Sequence, residues 1–196
     1  MTMPNIAQGA TTVYVSFSAE IIPSTTESLI ATMSHCVNQR VRQVHLLLST
    51  PGGSVMNGLN LHNFLKGMPF ELITHNVGNV DSIGNMVFLA GKKRYTSPQA
   101  TFMFHGVGFD VPGNQRFEEK TLRERLDGLL SDQRRIGAII AENSKLSADE
   151  VAALFLEAQT KDASWAVEKG IVHEVREVQI PTGSPVVSLV FQRQGR

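Results

Sequence analysis

Apolar positions along the chain switch between the two-residue spacing of strands and the three-to-four-residue spacing of helices. Residues 11–17 alternate between apolar and polar side chains and predict a strand. Leu61, Phe64, Leu65 and Met68 fall on one helical face, and Pro69 is expected to end that helix. The same spacings predict further strands at 44–49, 70–74, 101–105 and 171–178, and further helices at 24–38, 83–90, 115–143, from 147 onward and at 162–169.

Strands and helices that alternate in this way favour βαβ units, and therefore an α/β fold with a largely parallel sheet. The 196 residues are enough for one domain with a substantial core. We expect residues 1–10 and 180–196 to be loose terminal segments, although 186–191 could instead form a last strand. The apolar stripe of the long helix at 115–143 is longer than a small domain usually buries. Part of that helix is therefore expected to project or to pack on another subunit.

Composition excludes several classes of function. Lys+Arg and Asp+Glu both number 18, so no net field favours nucleic acid or an anionic membrane as a partner. The single Cys36 cannot form an internal disulfide and is expected in the core. We see no signal peptide and no apolar run long enough to span a membrane, which predicts a cytoplasmic protein. The histidines lack metal-ligand spacing, so neither a metal nor a cofactor is expected.

The stretch from Gly78 to Gly91 holds the most informative polar residue of the chain. An apolar run leads into what we interpret as a glycine-bearing turn, and Ser82 then opens a new apolar run. A strand, a sharp turn and a helix can present a serine hydroxyl as a nucleophile close to helix N–H groups. Serine is also a favoured N-cap, so Ser82 could simply begin a helix.

Three parts of the chain, one of which contains Ser82, are expected to meet in one site. The pair Gly52-Gly53, Ser82 and His105 each lie at or just after the end of a predicted strand, where ligands bind in parallel sheets. The N–H groups of Gly53 and Ile83 could form an oxyanion hole. His105 would then act as the general base that polarises the serine hydroxyl.

These motifs resemble those of a known family. Thr-Pro-Gly-Gly-Ser-Val at 50–55, Asp-Ser-Ile-Gly-Asn at 81–85 and Met-Phe-His at 103–105 resemble the proteolytic subunit of the Clp protease, where the nucleophile segment is Ala-Ser-Met-Gly-Ala and the histidine segment is Met-Ile-His-Gln-Pro. The resemblance covers roughly residues 13–178. It identifies the chain as a divergent family member.

The resemblance implies a crotonase-like fold of repeated ββα units with a projecting handle helix. It implies a serine endopeptidase that cleaves peptides or unfolded proteins, with Ser82 as nucleophile and His105 as base. Gly53 and Ile83 would be the oxyanion donors, and the strip from Gly52 to Val55 would bind an extended peptide substrate. A homo-oligomeric ring is also implied.

Several positions depart from the family pattern. Alignment without a gap places Ala158 where the family has its catalytic aspartate. Asp162 is the nearest carboxylate and the candidate to orient His105, although it could instead simply cap the next helix. Weaker candidates for this role are Glu157, Gln159 and Asp81, and Lys120 could serve as a base in the handle region.

Other departures concern partners. The family's tyrosine-bearing strand, part of its pocket for the ATP-driven unfoldase, is replaced by His45-Leu46-Leu47. The loop at 106–114 is longer than in the family. The change in the tyrosine-bearing strand argues against docking to an ATP-driven unfoldase, although such a partner stays possible.

Two alternative functions follow from the same residues. The missing aspartate is compatible with a weak or inactive ring subunit that serves as a scaffold. The oxyanion geometry is shared with acyl-CoA enzymes of the crotonase superfamily, although that chemistry does not need a serine and a histidine together.

Overall fold

The computed structural model describes residues 9–111, 113–114 and 116–191 of the chain. Within those residues the order of elements is β1 (Thr12–Ser18), α1 (Pro23–Asn38), β2 (Gln43–Thr50), α2 (Val55–Lys66), β3 (Glu71–Asp81), α3 (Gly84–Leu89), β4 (Lys93–Thr96), β5 (Thr101–Met103), α4 (Glu119–Glu142), α5 (Ala148–Glu157), β6 (Thr160–Lys161), α6 (Ala163–Glu168), β7 (Glu174–Val175) and β8 (Val186–Leu189).

These strands form one sheet in the order β6-β5-β3-β2-β1-β8, with β4 attached to β3 and β7 attached to β4. All pairings are parallel except that between β5 and β6. The long strand β3 serves two partners: Ile73 to Asn76 pair with β4, and Asn79 to Asp81 pair with β5. The last residues of β3 and β5 therefore lie side by side, with Asp81 opposite Met103.

The core forms where the helical stripes meet the sheet. Cys36 is fully buried there together with Leu29 and Met33, as its spacing predicts. Among the described residues, Arg94 is the one buried side chain with a permanent charge, at 8% exposed. Its guanidinium donates to the backbone carbonyls of Gly91, Asn143, Gly170 and Ile171. Arg94 thus links β4 to the C-terminal ends of α4 and α6, where carbonyl groups lack intrahelical partners.

Two predictions of local structure are wrong. The strand predicted at 70–74 extends to Asp81, so the expected glycine-bearing turn before Ser82 is strand as well. Gly78 fits there because a Cβ atom would lie 2.9 Å from Oγ of Ser49 on β2. The strand predicted at 171–178 is reduced to Glu174 and Val175. The tail does form a strand: β8 pairs with β1, and Val187 is buried. Residues 1–8 and 192–196 lie outside the described residues.

Helix α4 packs on the core through its second half alone. Ile136 and Ile140 are its buried residues. Leu122, Leu126 and Leu130 continue the apolar stripe but are 50%, 54% and 42% exposed. The first half of the helix therefore projects, as its length predicts.

Candidate active site

Ser82 follows the last residue of β3 in a backbone conformation that is unusual for its type. Its φ is +56°, in the left-handed region. Its N–H donates to the Met103 carbonyl at 2.8 Å, which fastens the turn to β5. Such a conformation costs about 1–3 kcal/mol and is typical of functional sites. The alternative that Ser82 caps the following helix is wrong, because Ile83 is the N-cap of α3 and no side chain caps it.

Gly52 lies against this serine at a distance that no other residue type would allow. A Cβ atom on Gly52 would be 2.6 Å from Cβ of Ser82 and 2.9 Å from the Asp81 carbonyl oxygen. Gly52 and Gly53 also have φ values of +93° and +143°, which disfavour any side chain. Glycine is therefore required at both positions for this segment, Gly52-Gly53 (the glycine segment), to approach Ser82.

The glycine segment is held from one edge by Ile21. The Ile21 N–H donates to the Gly52 carbonyl at 2.7 Å, and the Ser54 N–H donates to the Ile21 carbonyl at 2.9 Å. Because these bonds flank Gly53, the N–H and carbonyl of Gly53 itself point to the opposite edge. Gly53 is exposed at that edge.

One cavity of about 120 Å³ brings the predicted residues together. Gly53, Val55, Ser82, Ile83 and His105 all line it. The N–H groups of Gly53 and Ile83 have no hydrogen-bond partner among the described residues. Two free donors beside a serine hydroxyl can stabilise an oxyanion that forms on an attacked carbonyl. The rest of the wall is largely apolar, from Met86, Phe104, Val107, Ile136, Ile140 and Phe155.

His105 comes two residues after β5 and its ring is oriented by backbone. Its Nδ1 lies 2.7 Å from the carbonyl oxygen of Gly106. Because a carbonyl can only accept, this contact favours the neutral tautomer that carries its proton on Nδ1 and its lone pair on Nε2, which is the tautomer that a general base needs. Gly106 is in turn fixed by its N–H, which donates to the Phe155 carbonyl of α5 at 3.0 Å. Ser82 and His105 are both among the described residues, and the Ser82 hydroxyl makes no hydrogen bond to the His105 ring.

The structure does not bring Asp162 to His105. The Asp162 carboxylate caps α6, where its Oδ1 accepts from the Trp165 N–H at 2.8 Å and from the Ser164 hydroxyl at 2.7 Å. These two bonds lower the pKa of Asp162, with the Ser164 hydroxyl contributing most. Asp162 is outside the cavity lining and makes no hydrogen bond to the histidine ring. The capping interpretation is the one that the contacts support.

The remaining carboxylates and the lysine are placed elsewhere, with one exception. Glu157 pairs with Lys161 at 3.0 Å, and Lys120 is an exposed residue near Glu124. Ala158 ends α5 in a left-handed conformation with φ of +49°. The exception is Asp81, next to Ser82: burial raises the pKa of its carboxyl group, while a hydrogen bond from Asn79 and the electrostatic influence of His105 oppose that rise.

Two residues that shape the site are not singled out by sequence reasoning. Gly106 acts through its backbone, and no side-chain pattern reports a carbonyl. Asn85 is fully buried in α3 and donates to the carbonyls of Ser82 and Met103. The sequence signal that could have identified Asn85 is a single amide side chain within the apolar run after Ser82.

A comparison with protein families matches residues 7–179 to the family model described as Clp protease. The chain belongs to the Clp protease family. Among similar proteins, the ATP-dependent Clp protease proteolytic subunit 1 of Leifsonia xyli is 25% identical over 138 residues, which cover 69% of this chain and 68% of that protein. The proteolytic subunit of Lactococcus lactis subsp. cremoris is 27% identical over 139 residues, covering 69% and 68%.

Solved structures support the same fold. A mutant of ClpP1 from Listeria monocytogenes superposes with a TM-score of 0.72 at 20% identity, covering 85% of this chain and 92% of that chain. The predicted α/β, crotonase-like Clp protease fold and the divergent membership are confirmed. The Clp protease family is one of peptidase subunits, which places this chain among hydrolases. No helix within the described residues could cross a membrane, and these residues contain no cluster of metal-ligating side chains.

Proposed function

We propose that this chain is a serine endopeptidase of the Clp type that uses a Ser82–His105 pair. The observation that carries this proposal is the shared cavity, in which a strained serine, a histidine with a free Nε2 and two free N–H donors converge. Proteolytic subunits from Leifsonia xyli and Lactococcus lactis are its relatives.

The chemistry follows from these positions. A peptide pairs with the open edge of Gly53 and places its scissile carbonyl at Ser82. The Ser82 Oγ attacks that carbon as His105 Nε2 takes the hydroxyl proton. The N–H groups of Gly53 and Ile83 stabilise the oxyanion, each worth about 3–4 kcal/mol in comparable sites. His105 then returns the proton to the leaving amine, and water hydrolyses the acyl-enzyme by the reverse sequence.

The orienting group is the Gly106 carbonyl rather than a carboxylate. A carbonyl can hold Nδ1–H and so set the tautomer, but it lacks the full negative charge that stabilises an imidazolium ion. In the serine-protease template, loss of the aspartate function costs on the order of 10⁴ in turnover. We therefore expect slow turnover compared with a complete triad.

An activity-based probe tests the proposal. A fluorophosphonate should form an adduct with Ser82, located by mass spectrometry, and Ser82→Ala and His105→Ala should abolish it. Ser49→Ala is the matched control, because Ser49 lies on β2 and does not line the cavity, and it should label normally. A folded wild-type chain that takes up no probe, or an adduct elsewhere, refutes the proposal.

Two observations favour a second function. Ala158 offers no carboxylate, and the Ser82 hydroxyl is not hydrogen-bonded to His105 in the described structure. A ring subunit with a scaffolding role would have these features. Its signature would be assembly into a ring, through the exposed leucines of α4, by a chain that the probe does not label.

A further inference from the structure

Asn85 is a fully buried amide one turn after the nucleophile. Its Nδ2 donates to the Ser82 carbonyl at 3.0 Å and to the Met103 carbonyl at 2.9 Å. Met103 is the last residue of β5 and lies two residues before His105. A single side chain therefore joins the residue that carries the nucleophile to the strand that delivers the base.

Neither carbonyl depends on the side chain of Asn85 for its hydrogen bonding. The Met103 carbonyl already accepts from the Ser82 N–H at 2.8 Å, and the Ser82 carbonyl accepts from the backbone N–H of Asn85 at 3.2 Å. The Oδ1 atom of Asn85 is buried without any partner. An unsatisfied buried acceptor is unfavourable and offsets much of what the two Nδ2 bonds contribute. The Asn85 amide therefore adds little to the free energy of unfolding. What it provides is the position of the Ser82 turn relative to β5.

The geometry at this point is demanding. Ser82 has the left-handed φ of +56°, a conformation that persists only when its surroundings hold it.

We propose that Asn85 is a positioning residue that clamps the Ser82 turn to the end of β5 and so sets the distance between nucleophile and base. The catalytic part of this inference rests on the serine peptidase function proposed above. The clamp itself is a structural statement that can be measured in an inactive chain.

The test compares Asn85→Ala with Asn76→Ala. Asn76 is also fully buried on β3, and its Nδ2 donates to a β5 carbonyl, that of Thr101, at 2.7 Å. It differs in that its Oδ1 is satisfied by the Gly78 N–H at 3.1 Å and that it is remote from the Ser82 turn. Asn76→Ala should therefore lower the melting temperature by several degrees and leave the rate of fluorophosphonate labelling within about twofold of wild type.

Asn85→Ala should show the opposite behaviour. Its melting temperature should stay within about 2 °C of wild type, and its labelling rate should fall on the order of 100-fold, as misplacement of a reacting group by about 1 Å does. Hydrogen exchange of the Ser82 amide should become faster in Asn85→Ala and not in Asn76→Ala.

The outcomes separate the two proposals. Unchanged labelling and unchanged Ser82 exchange in Asn85→Ala overturn the positioning role, as does a loss of stability that accounts for the whole rate effect. A wild-type chain that never labels refutes the peptidase proposal, and the exchange measurement then still decides whether Asn85 holds the turn.

Discussion

The contact between Gly58 and Ile83 offers a sharp test of how tightly the site is packed. Gly58 lies in α2, and a Cβ atom there would overlap Cγ1 of Ile83 and sit 3.2 Å from its Cβ and Cγ2. Ile83 is 2% exposed and supplies one of the proposed oxyanion donors. Gly58→Ala therefore pushes directly on the residue after Ser82.

Two opposing effects set the change in the free energy of unfolding. Alanine is better than glycine in a helix interior by about 1 kcal/mol. Overpacking a well-packed site costs about 1–3 kcal/mol. We expect Gly58→Ala to lower the free energy of unfolding by roughly 0–2 kcal/mol, the difference between these two effects.

Activity should be affected more than stability. Complete loss of one oxyanion donor costs about 10²–10³ in turnover, and a displaced donor costs part of that. We therefore expect fluorophosphonate labelling of Gly58→Ala to slow by about 10- to 100-fold. Labelling rates and urea denaturation at one fixed protein concentration measure the two effects.

Gly128→Ala is the matched control. Gly128 is also inside a helix, α4, but a Cβ atom there would meet nothing within 4 Å. The same substitution should raise stability by about 0.5–1 kcal/mol and leave labelling unchanged. If Gly58→Ala behaves like Gly128→Ala in both assays, the packing of α2 on Ile83 is not rigid and the reasoning is wrong.

Three further predictions concern residues around the site. Asp162→Ala should destabilise α6 while Asp162→Ser, which retains a capping oxygen, should not, and both should label at the wild-type rate; a large loss of labelling in Asp162→Ser with unchanged thermal stability would restore Asp162 as the orienting carboxylate. Burial lowers the pKa of His75 to about 4, so this residue stays neutral in the folded state and takes up a proton on unfolding below about pH 6.5. The contribution of His75 to the free energy of unfolding should therefore be fully present above pH 6.5 and should fall by up to roughly 3 kcal/mol towards pH 4. Urea denaturation of His75→Gln should show a smaller fall over this pH range, and a profile identical to that of wild type would contradict the prediction. Arg94→Met removes the donor to four carbonyl groups and should lower the free energy of unfolding, measured by urea denaturation, by about 3 kcal/mol. A decrease of less than about 1 kcal/mol would contradict this prediction.

Local sequence was sufficient for the elements whose signals lie within a few residues. The capping box of Ser147 and Glu150 is present at the start of α5, because both of its hydrogen bonds span three residues. The stripe that buries Cys36 in α1 is likewise a property of one segment. The meeting of Gly53, Ser82 and His105 in one cavity could be predicted because parallel strands place their carboxyl ends at the same edge.

Other features depend on partners that are distant in the chain. The polar residues after Thr74 continue β3, and Asn76 and Asn79 are stabilised there by the carbonyls of Thr101 and Thr50. No local pattern reports such partners, so a turn was the natural prediction.

Sequence by itself determined the nucleophile, the base and the oxyanion donors as candidates, because their residue types and order along the chain carry that chemistry. Tertiary structure alone decided how the ring of His105 is oriented. The group that holds the ring of His105 is the Gly106 carbonyl, fixed by Phe155 some fifty residues later, while Asp162 is occupied with a helix cap. A backbone carbonyl has the same identity in every residue, and only its position in the fold gives it a role.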